Sequence, residues 1–501
     1  MLTVNIDDKK INVKEGTLLI EAMIKNDIYI PHFCYHEALG PDGNCRMCMV
    51  EIEGQKRPQI ACDTPVKEGM IVRTKGKNIE KVKRGILELE LINHPIDCPI
   101  CDQAGECKLQ EYYMEEGLYD SRLDTPKVKA KKHVYLGSEV MLDQERCVLC
   151  KRCVRFTELY TKTDDLIVEK RSDRSVITTF PGKSFDNPYG GNVVDICPVG
   201  ALTNRDFRFK KRVWFLSHGN GICMECSRGC NLRVGHEKAK YEDDIIYRLK
   251  PRRNDKVNGF FICDTGRYSY KKENENRLFD PLYKNKEIDL EEILKKVKLF
   301  LDKEPIFVVS PSLSLEEMAY IKILSRKKDF RVITSLQEYI DESFEDNLLR
   351  TKQRASNING IKLLGIEVAE HLNATLTEYQ NIIIIDHKIA HLQKDIFKSK
   401  TVLNFTTSTQ DCENYEFNIP IASVYEKRGS YINFEWILQK SEKIVHKNLQ
   451  PRTLIELLSH IEHEYMDEKK IWKEYLCKNK IFSKINLDLL DACGYKLEEE
   501  A

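Results

Sequence analysis

The sequence has no long apolar run and no excess of charge of either sign. Its most apolar stretch, Ile382 to Ile385, is far shorter than the roughly 20 residues that a helix needs to cross a bilayer. Lys plus Arg and Asp plus Glu both total 79, so the formal net charge is zero and no global basic field favours nucleic acid or anionic lipid. We therefore expect neither a membrane span nor a nucleic-acid partner.

The sequence also lacks the common motifs of nucleotide binding and hydrolysis. It contains no G-x-G-x-x-G fingerprint and no phosphate-binding loop, and no spacing of Ser, His and Asp singles out a catalytic group. We expect no independent catalytic site. The beginning, MLTVNIDDKK, has no basic segment followed by an apolar core, which predicts a cytosolic or cytosol-facing chain.

Cysteine, in contrast, is abundant, with 18 residues. Clustered spacings without a signal peptide favour metal ligation in a reducing compartment over disulfides. All but Cys412, Cys477 and Cys493, which we expect to be buried or inert thiols, fall with one histidine into four sets. The first set is Cys34, Cys45, Cys48 and Cys62; the second is His94, Cys98, Cys101 and Cys107; the third is Cys147, Cys150, Cys153 and Cys197; and the fourth is Cys223, Cys226, Cys230 and Cys263.

The first set has the spacing C-x10-C-x2-C-x13-C, and four thiolates suit a 2Fe-2S cluster. Gly40 and Gly43 would let the backbone curl around it, and Arg46 would place positive charge beside it. A tetrahedral zinc site takes four cysteines equally well and is the alternative.

The second set has the spacing H-x3-C-x2-C-x5-C. His94 stands at a fixed distance from three cysteines that lack a fourth partner, and a neutral imidazole can replace one thiolate on a 4Fe-4S cluster. This replacement makes the site less negative by one unit, so we expect a higher reduction potential than at a similar all-cysteine site. The alternative is an ordinary surface or packed histidine.

The third set combines a C-x2-C-x2-C run with Cys197 in the sequence CPVGAL, as in bacterial ferredoxins. A two-cluster ferredoxin has a second such run before the Cys-Pro pair. The corresponding positions hold Asn187, Gly190 and Val193, so we expect a single 4Fe-4S cluster.

Basic residues accompany the third set. Lys151, Arg152 and Arg155 lie within or directly after its C-x2-C-x2-C run. They would either offset the negative charge of a cluster or lie on the surface as solvated cations. The sequence leaves both interpretations open.

The fourth set has the spacing C-x2-C-x3-C-x32-C. Zinc is a stronger rival here, because two short cysteine groups separated by a long insert also describe structural zinc sites. A 4Fe-4S cluster is our interpretation, and it rests on the family resemblance described below.

The pattern along the 501 residues predicts an α+β multidomain protein. Residues 2–5 and 10–14 alternate like strands, 17–25 has helical periodicity, and the segment resembles a ferredoxin-type β-grasp domain. Apolar runs separated by helical segments after Cys263 predict a parallel α/β sheet. Ser314 and Glu317 form a predicted capping box. We divide the chain into a β-grasp domain (1–77), a His/Cys cluster segment (78–118), a ferredoxin-like domain (119–215), a fourth-cluster domain (216–275) and an α/β domain (276–501).

The four sets, in this order and spacing, resemble the large peripheral iron-sulfur subunit (the G subunit) of NADH-quinone oxidoreductase, respiratory complex I. The resemblance implies one 2Fe-2S and three 4Fe-4S clusters that carry electrons from a flavin subunit oxidising NADH toward the quinone-side iron-sulfur subunits. It implies a peripheral protein on the cytoplasmic face of the inner (plasma) membrane, with the fourth cluster off the electron path. The segments RLFDPLY and KRGSYINFEWILQ resemble landmarks of a molybdopterin-oxidoreductase fold, here shortened, and we expect no molybdopterin.

Other redox proteins share this kind of N-terminal cluster module. An iron-only hydrogenase needs several further cysteines, and a formate dehydrogenase catalytic subunit needs a molybdenum ligand and more chain after Cys263. The electron-transfer subunit of an NAD-reducing hydrogenase or of a formate dehydrogenase complex is the alternative function. A zinc-rich scaffold that organises partners is the alternative from a different class.

Overall fold

The computed structural model describes residues 1–117, 121–122, 124–170, 175–389, 394–410, 412–490 and 493–497. Its residue contacts divide the chain into unit 1, Met1–Phe215, and unit 2, Leu216–Ala501. None of the helices formed by the described residues has the length and apolar character that crossing a bilayer requires.

Unit 1 begins with a mixed sheet covered by one helix. The strands are β1 (Leu2–Ile6), β2 (Lys9–Val13), β3 (Met49–Ile52), β4 (Gln59–Ile60) and β5 (Met70–Arg73), and the helix is α1 (Leu19–Lys25). The strand order is β2-β1-β5-β3-β4, with β1 antiparallel to β2 and parallel to β5. Apolar residues of α1 and of the sheet form one buried cluster, which fits the strands and helix predicted for this segment.

The rest of unit 1 consists of short elements joined by long loops. Its elements are α2 (Lys77–Leu91), α3 (Lys108–Glu116), β6 (Val134–Tyr135), β7 (Val140–Leu142), α4 (Arg152–Arg155), β8 (Leu166–Glu169), β9 (Val176–Thr179), α5 (Asn192–Ile196) and β10 (Leu202–Asn204). Strands β10, β7 and β6 form one small sheet, and β8 pairs with β9. The second and third sets lie in the loops and at the helix ends of this region.

Unit 2 begins with an antiparallel sheet that carries the fourth set. Its strands are β11 (Ser217–Ile222), β12 (Asn231–Lys238) and β13 (Asp244–Pro251), followed by helices α6 (Asp264–Arg267) and α7 (Tyr270–Asn274). Cys223 directly follows β11, Cys230 directly precedes β12 and Cys263 precedes α6. The strand and helix ends therefore bring ligands that are far apart in sequence to one place.

A second, larger sheet follows, and its central strands are parallel. The elements are β14 (Leu282–Tyr283), β15 (Lys286–Glu287), α8 (Leu290–Leu301), β16 (Ile306–Val309), α9 (Leu315–Lys328), β17 (Val332–Thr334), α10 (Ile358–Leu363), β18 (Glu367–Val368), α11 (Leu372–Thr377), β19 (Asn381–Ile385), β20 (Thr401–Thr406) and β21 (Phe417–Pro420). The strand order is β15-β14-β21-β20-β19-β16-β17-β18, parallel from β21 to β18 and antiparallel at the β14 edge. The parallel α/β arrangement predicted after Cys263 is therefore present.

A small sheet and two helices complete the described part of unit 2. They are β22 (Gly429–Ile432), β23 (Ile437–Ser441), α12 (Leu454–Glu462), α13 (Glu468–Glu474) and β24 (Tyr495–Lys496). Helices α8, α9, α12 and α13 contribute to one large apolar core. The predicted capping box is confirmed, because the Ser314 hydroxyl accepts from Glu317 N and Ser314 N donates to the Glu317 carboxylate.

A second capping box begins α12 and allows a clean test of local stability. Thr453 Oγ1 accepts from Glu456 N at 3.1 Å, and Thr453 N donates to Glu456 Oε2 at 2.7 Å. Thr453→Ala should lower the free energy of opening the first turn of α12 by about 1 kcal/mol, because an amide loses its acceptor. Hydrogen exchange of the full chain measures this. Thr453→Ser keeps the hydroxyl and should match wild type; unchanged protection in the alanine variant would contradict the assignment.

Candidate metal centres

The first set converges in the loops that pack beside the N-terminal sheet. All four cysteines are buried. The thiol of Cys34 lies within hydrogen-bonding reach of those of Cys45 and Cys62, and the thiol of Cys48 within reach of Cys62. The backbone donates to this group as well, from Phe33 N to Cys45 Sγ at 3.4 Å. Four buried sulfur atoms therefore meet at one place.

The loop between Cys34 and Cys45 is tightly curled. Gly40 and Gly43 have φ angles of 69° and 64°, in the left-handed region that glycine adopts most readily, as the sequence predicted. Arg46 also has a positive φ, of 56°, and its side chain is exposed. Its charge is therefore screened by water and acts weakly on the buried sulfurs.

The second set lines one cavity of about 120 Å³. His94, Cys98, Cys101 and Cys107 all face it, and most of the remaining wall is apolar, including Leu91. Burial lowers the pKa of His94 to about 4, so its imidazole is neutral at pH 7 and has a lone pair free for a metal. This donor set fits a cluster held by one imidazole and three thiolates.

The wall of this cavity includes a glycine that belongs to the third set's CPVGAL segment. A Cβ atom on Gly200 would lie 2.1 Å from Cys101 Sγ, a distance at which the two atoms would overlap. The same segment binds α3, because Lys108 N donates to the Pro198 carbonyl at 2.8 Å. The cysteine spacings did not predict a role for Gly200, although its place three residues after Cys197 was a usable signal.

An ion-pair network flanks the second set and links it to the third. The Arg146 guanidinium, next to Cys147 in sequence, makes two hydrogen bonds to the Asp97 carboxylate, at 2.8 and 2.7 Å. Lys132 also pairs with Asp97, at 2.9 Å. These cations hold the pKa of Asp97 well below its usual range, against the opposing effect of burial. The Asp97 pairings fix the loop between His94 and Cys98.

The cysteines of the third set converge beside a loop in which two residues have left-handed backbone conformations. Leu149 and Lys151 have φ angles of 47° and 58°, and Leu149 N donates to Cys147 Sγ at 3.4 Å. Cys150, Cys153 and Cys197 are buried, and Cys147 is half-buried. Burial raises the pKa of the Cys153 thiol, and the other three thiols of the set raise it further. Thiols this close and this buried fit a cationic iron core, which would offset their charge on deprotonation.

The positions at which a second ferredoxin run would lie have other contacts. Asn187 Nδ2 donates to Asp165 Oδ2 at 2.9 Å, and Val193 is fully buried. The side chains of Asn187 and Val193 are therefore engaged in other contacts, and a single cluster in this region stays a prediction.

Arg152 and Arg155 are buried rather than solvated, with exposed fractions of 8% and 7%. Lys151 differs from them, because its side chain is 38% exposed and lies 3.3 Å from the Asp42 carboxylate. Burial raises the pKa of the Cys150 thiol to about 12, and the positive charge of Arg152 acts in the opposite direction. The interpretation of these two arginines as surface cations is therefore wrong.

In unit 1 the third set has both of the other sets as neighbours. The Cys34 thiol adds to the rise in the pKa of Cys150, so the first and third sets are neighbours. Burial raises the pKa of Cys107 to about 11, and the Cys197 thiol adds to this rise, so the third and second sets are neighbours too. The third set is thus adjacent to each of the other two.

The fourth set converges in unit 2. Burial raises the pKa of Cys230, and the thiols of Cys223, Cys226 and Cys263 each raise it further. Gly266 N donates to Cys263 Sγ at 3.4 Å, and a Cβ on Gly266 would lie 2.9 Å from Cys223 Sγ. All four cysteines are buried.

No group of three or more His, Cys, Asp or Glu side chains within the described ranges has the spacing that would hold one metal ion. A four-iron cluster is larger than a single ion and separates its ligands more widely. The four sets therefore converge and are buried without forming the coordination geometry of a mononuclear site.

Three family models match the chain in its first 203 residues. Residues 1–77 match the 2Fe-2S iron-sulfur cluster binding domain. Residues 83–122 match the NADH-ubiquinone oxidoreductase-G iron-sulfur binding region, and residues 137–203 match the ferredoxin-like domain of NADH-quinone oxidoreductase subunit 3. The first three sets fall within or at the borders of these matches.

Curated relatives extend the match. The chain is 40% identical to the G subunit of NADH-quinone oxidoreductase from Streptomyces coelicolor over 294 residues, which are 58% of this chain and 34% of that protein. It is 34% identical to the G subunit from Rickettsia conorii over 378 residues, 74% of this chain and 54% of that protein. The chain thus spans about a third to about half of the length of these relatives.

Among solved structures, a chain of NAD+-reducing [NiFe]-hydrogenase in the H2-reduced state is 30% identical, with a TM-score of 0.39, and covers 42% of this chain and 91% of its own. The predicted resemblance to the large peripheral iron-sulfur subunit is confirmed by the curated relatives and the family models. The chain therefore matches 2Fe-2S and other iron-sulfur binding models in its first 203 residues and is similar to part of the G subunit of NADH-quinone oxidoreductase.

Proposed function

We propose that this chain is an electron-transfer subunit of an NADH-quinone oxidoreductase, with a 2Fe-2S cluster on the first set and one 4Fe-4S cluster on each of the other three. The observation that carries the proposal is the convergence of three buried donor sets in one compact unit, with the third adjacent to each of the other two. Each bound cluster would supply a centre that gains and loses one electron. The chain's own residues hold the centres close together and exclude water.

The proposed partners are a flavin subunit that oxidises NADH and the iron-sulfur subunits on the quinone side. The proposed place is the cytoplasmic face of the inner (plasma) membrane, as a peripheral subunit. The names of the curated relatives support this role. An electron-transfer subunit of an NAD-reducing hydrogenase or formate dehydrogenase complex is the alternative, and the electron donor of the purified complex distinguishes them.

For unit 2 we propose a shortened molybdopterin-oxidoreductase-like domain that holds the fourth cluster. Residues 427–439, one of the landmark segments, bind the loop of the fourth set. Asn433 Nδ2 donates to the Arg228 carbonyl at 3.1 Å, and Gln439 Nε2 donates to the Gly229 carbonyl at 3.1 Å. A bound pterin is no part of this proposal.

Metal and sulfide analysis tests the proposal as a whole. The anaerobically purified chain should be brown and contain about fourteen iron atoms, from one binuclear and three four-iron clusters, with matching acid-labile sulfide. Low-temperature EPR should resolve the binuclear centre from the four-iron centres. A colourless protein that contains zinc would contradict the proposed function and would favour a zinc-rich scaffold.

The ligand role of His94 has its own test. His94→Cys should keep a four-iron cluster but lower its reduction potential, because a thiolate adds one negative charge. EPR-monitored redox titration measures the shift. His133→Ala, at an exposed histidine of the same unit, is the control and should change nothing. An unaltered spectrum in the cysteine variant would exclude His94 as a ligand.

The cavity of the second set predicts a specific effect at Gly200. Gly200→Ala should lose the second cluster, about four iron atoms, because the added methyl group would overlap Cys101 Sγ. Gly85→Ala is the matched control, since a Cβ there has no atom within 4 Å and alanine favours the α2 helix. Full iron content in the Gly200→Ala variant would contradict the proposal that the second cluster fills the cavity lined by Gly200.

If residues 427–439 hold the loop of the fourth set in place, a substitution in this segment should remove the fourth cluster alone. Asn433→Leu should lose the fourth cluster and leave the other three, because the loop at Arg228 loses a donor. Iron analysis together with EPR measures this outcome. Asn448→Leu, at an exposed asparagine of the same unit, is the control. A retained fourth cluster in the Asn433 variant would contradict the role.

A further inference from the structure

Arg152 and Arg155 connect the first and third sets through backbone carbonyls. Arg152 donates to the Tyr35 carbonyl at 2.6 Å and to the Ile196 carbonyl at 3.0 Å. Tyr35 follows Cys34 and Ile196 precedes Cys197 in sequence. One guanidinium therefore contacts the chain directly beside a ligand of each set.

Arg155 is enclosed by the curled loop of the first set. Its guanidinium donates to the carbonyls of Leu39, Gly40 and Pro41 at 3.0, 2.9 and 3.0 Å, and also to the carbonyl of Cys34. This arginine is on α4, two residues after Cys153 of the third set. Arg155 therefore connects α4, which carries Cys153 of the third set, to the loop that begins at Cys34 of the first set.

Both charges are buried, and the described part of unit 1 gives neither of them a counter-charge. All of their acceptors are neutral carbonyls, and within the residues described for unit 1 neither guanidinium pairs with a carboxylate. The Nε atom of each arginine is buried without a hydrogen-bond partner. A buried unpaired cation is costly unless negative charge lies nearby. Hydrogen bonds to neutral carbonyls do not neutralise the two buried positive charges.

We propose that Arg152 and Arg155 are positioning residues that act as a shared counter-charge for the clusters of the first and third sets and raise the reduction potentials of both. This inference rests on the proposed binding of those two clusters. A cluster with thiolate ligands is anionic, and one-electron reduction makes it more negative without breaking a bond. Fixed positive charge in a water-poor region favours the reduced form.

The contacts of the two arginines predict different effects on the reduction potentials of the two clusters. Arg155 contacts carbonyls of the first set's loop alone, so it should act mainly on the first cluster. Arg152 contacts the chain beside both sets, so it should act on both clusters. Lys151 comes from the same loop but is half-exposed and paired with Asp42, so its charge should contribute little.

Redox titration of the full chain, reduced stepwise with dithionite and followed by EPR, tests this. In Arg152→Gln the ratio of reduced to oxidised cluster at a fixed ambient potential should fall about tenfold for the first and third clusters, a shift of about 59 mV for a one-electron couple. In Arg155→Gln the first cluster should shift most. Arg155→Lys keeps the charge and should stay close to wild type, as should the matched control Lys151→Gln.

Two outcomes would overturn the inference. One is intact clusters with unmoved potentials in both glutamine variants. The other is loss of the first cluster from Arg155→Lys and Arg155→Gln alike, which would make this arginine a hydrogen-bond donor whose charge is irrelevant. A wild-type chain without iron-sulfur signals would instead refute the proposed function, so the two failures are distinguishable.

Discussion

Burial of cysteine sulfur atoms in close groups is the constraint on which the rest of this structure depends. Thiolates cannot be buried together unless positive charge offsets them. In unit 1 guanidinium groups that are themselves buried, such as Arg152, would supply part of this positive charge. Iron would supply the remainder. The loops that carry the cysteines are shaped to satisfy this balance, and regular secondary structure around them is correspondingly short.

The two units meet this constraint with different amounts of apolar core. Around the third set, α4 spans only Arg152–Arg155 and β7 only Val140–Leu142, so few side chains can pack around each element. Unit 2 has one large apolar core that joins four helices and the parallel sheet. Folding near the third set should therefore depend on its metal more strongly than folding of the parallel sheet does.

The sequence predicted the elements and the donor sets, but not the contacts between sets. Periodicity was sufficient for the strands near residue 2 and for the parallel sheet, and spacing was sufficient for the cysteines. Arg152 was ambiguous, because its burial depends on the Tyr35 carbonyl, which is distant in sequence. Gly200 was missed for the same reason, since its conflict with Cys101 exists only once the chain has folded.

The adjacency of the third set to the other two follows from how the third set is assembled. Cys197 comes from a segment distant in sequence from Cys147, Cys150 and Cys153, and it brings Pro198 and Gly200 with it. Pro198 accepts a hydrogen bond from the first residue of α3, and Gly200 lines the cavity of the second set. On its other side, the third set's loop binds the first set through Arg155. The segment that follows Cys197 therefore joins the third set to the second, and Arg155 joins the third set to the loop of the first. An electron route through unit 1 would use these adjacencies, because tunnelling requires each centre to have a close neighbour.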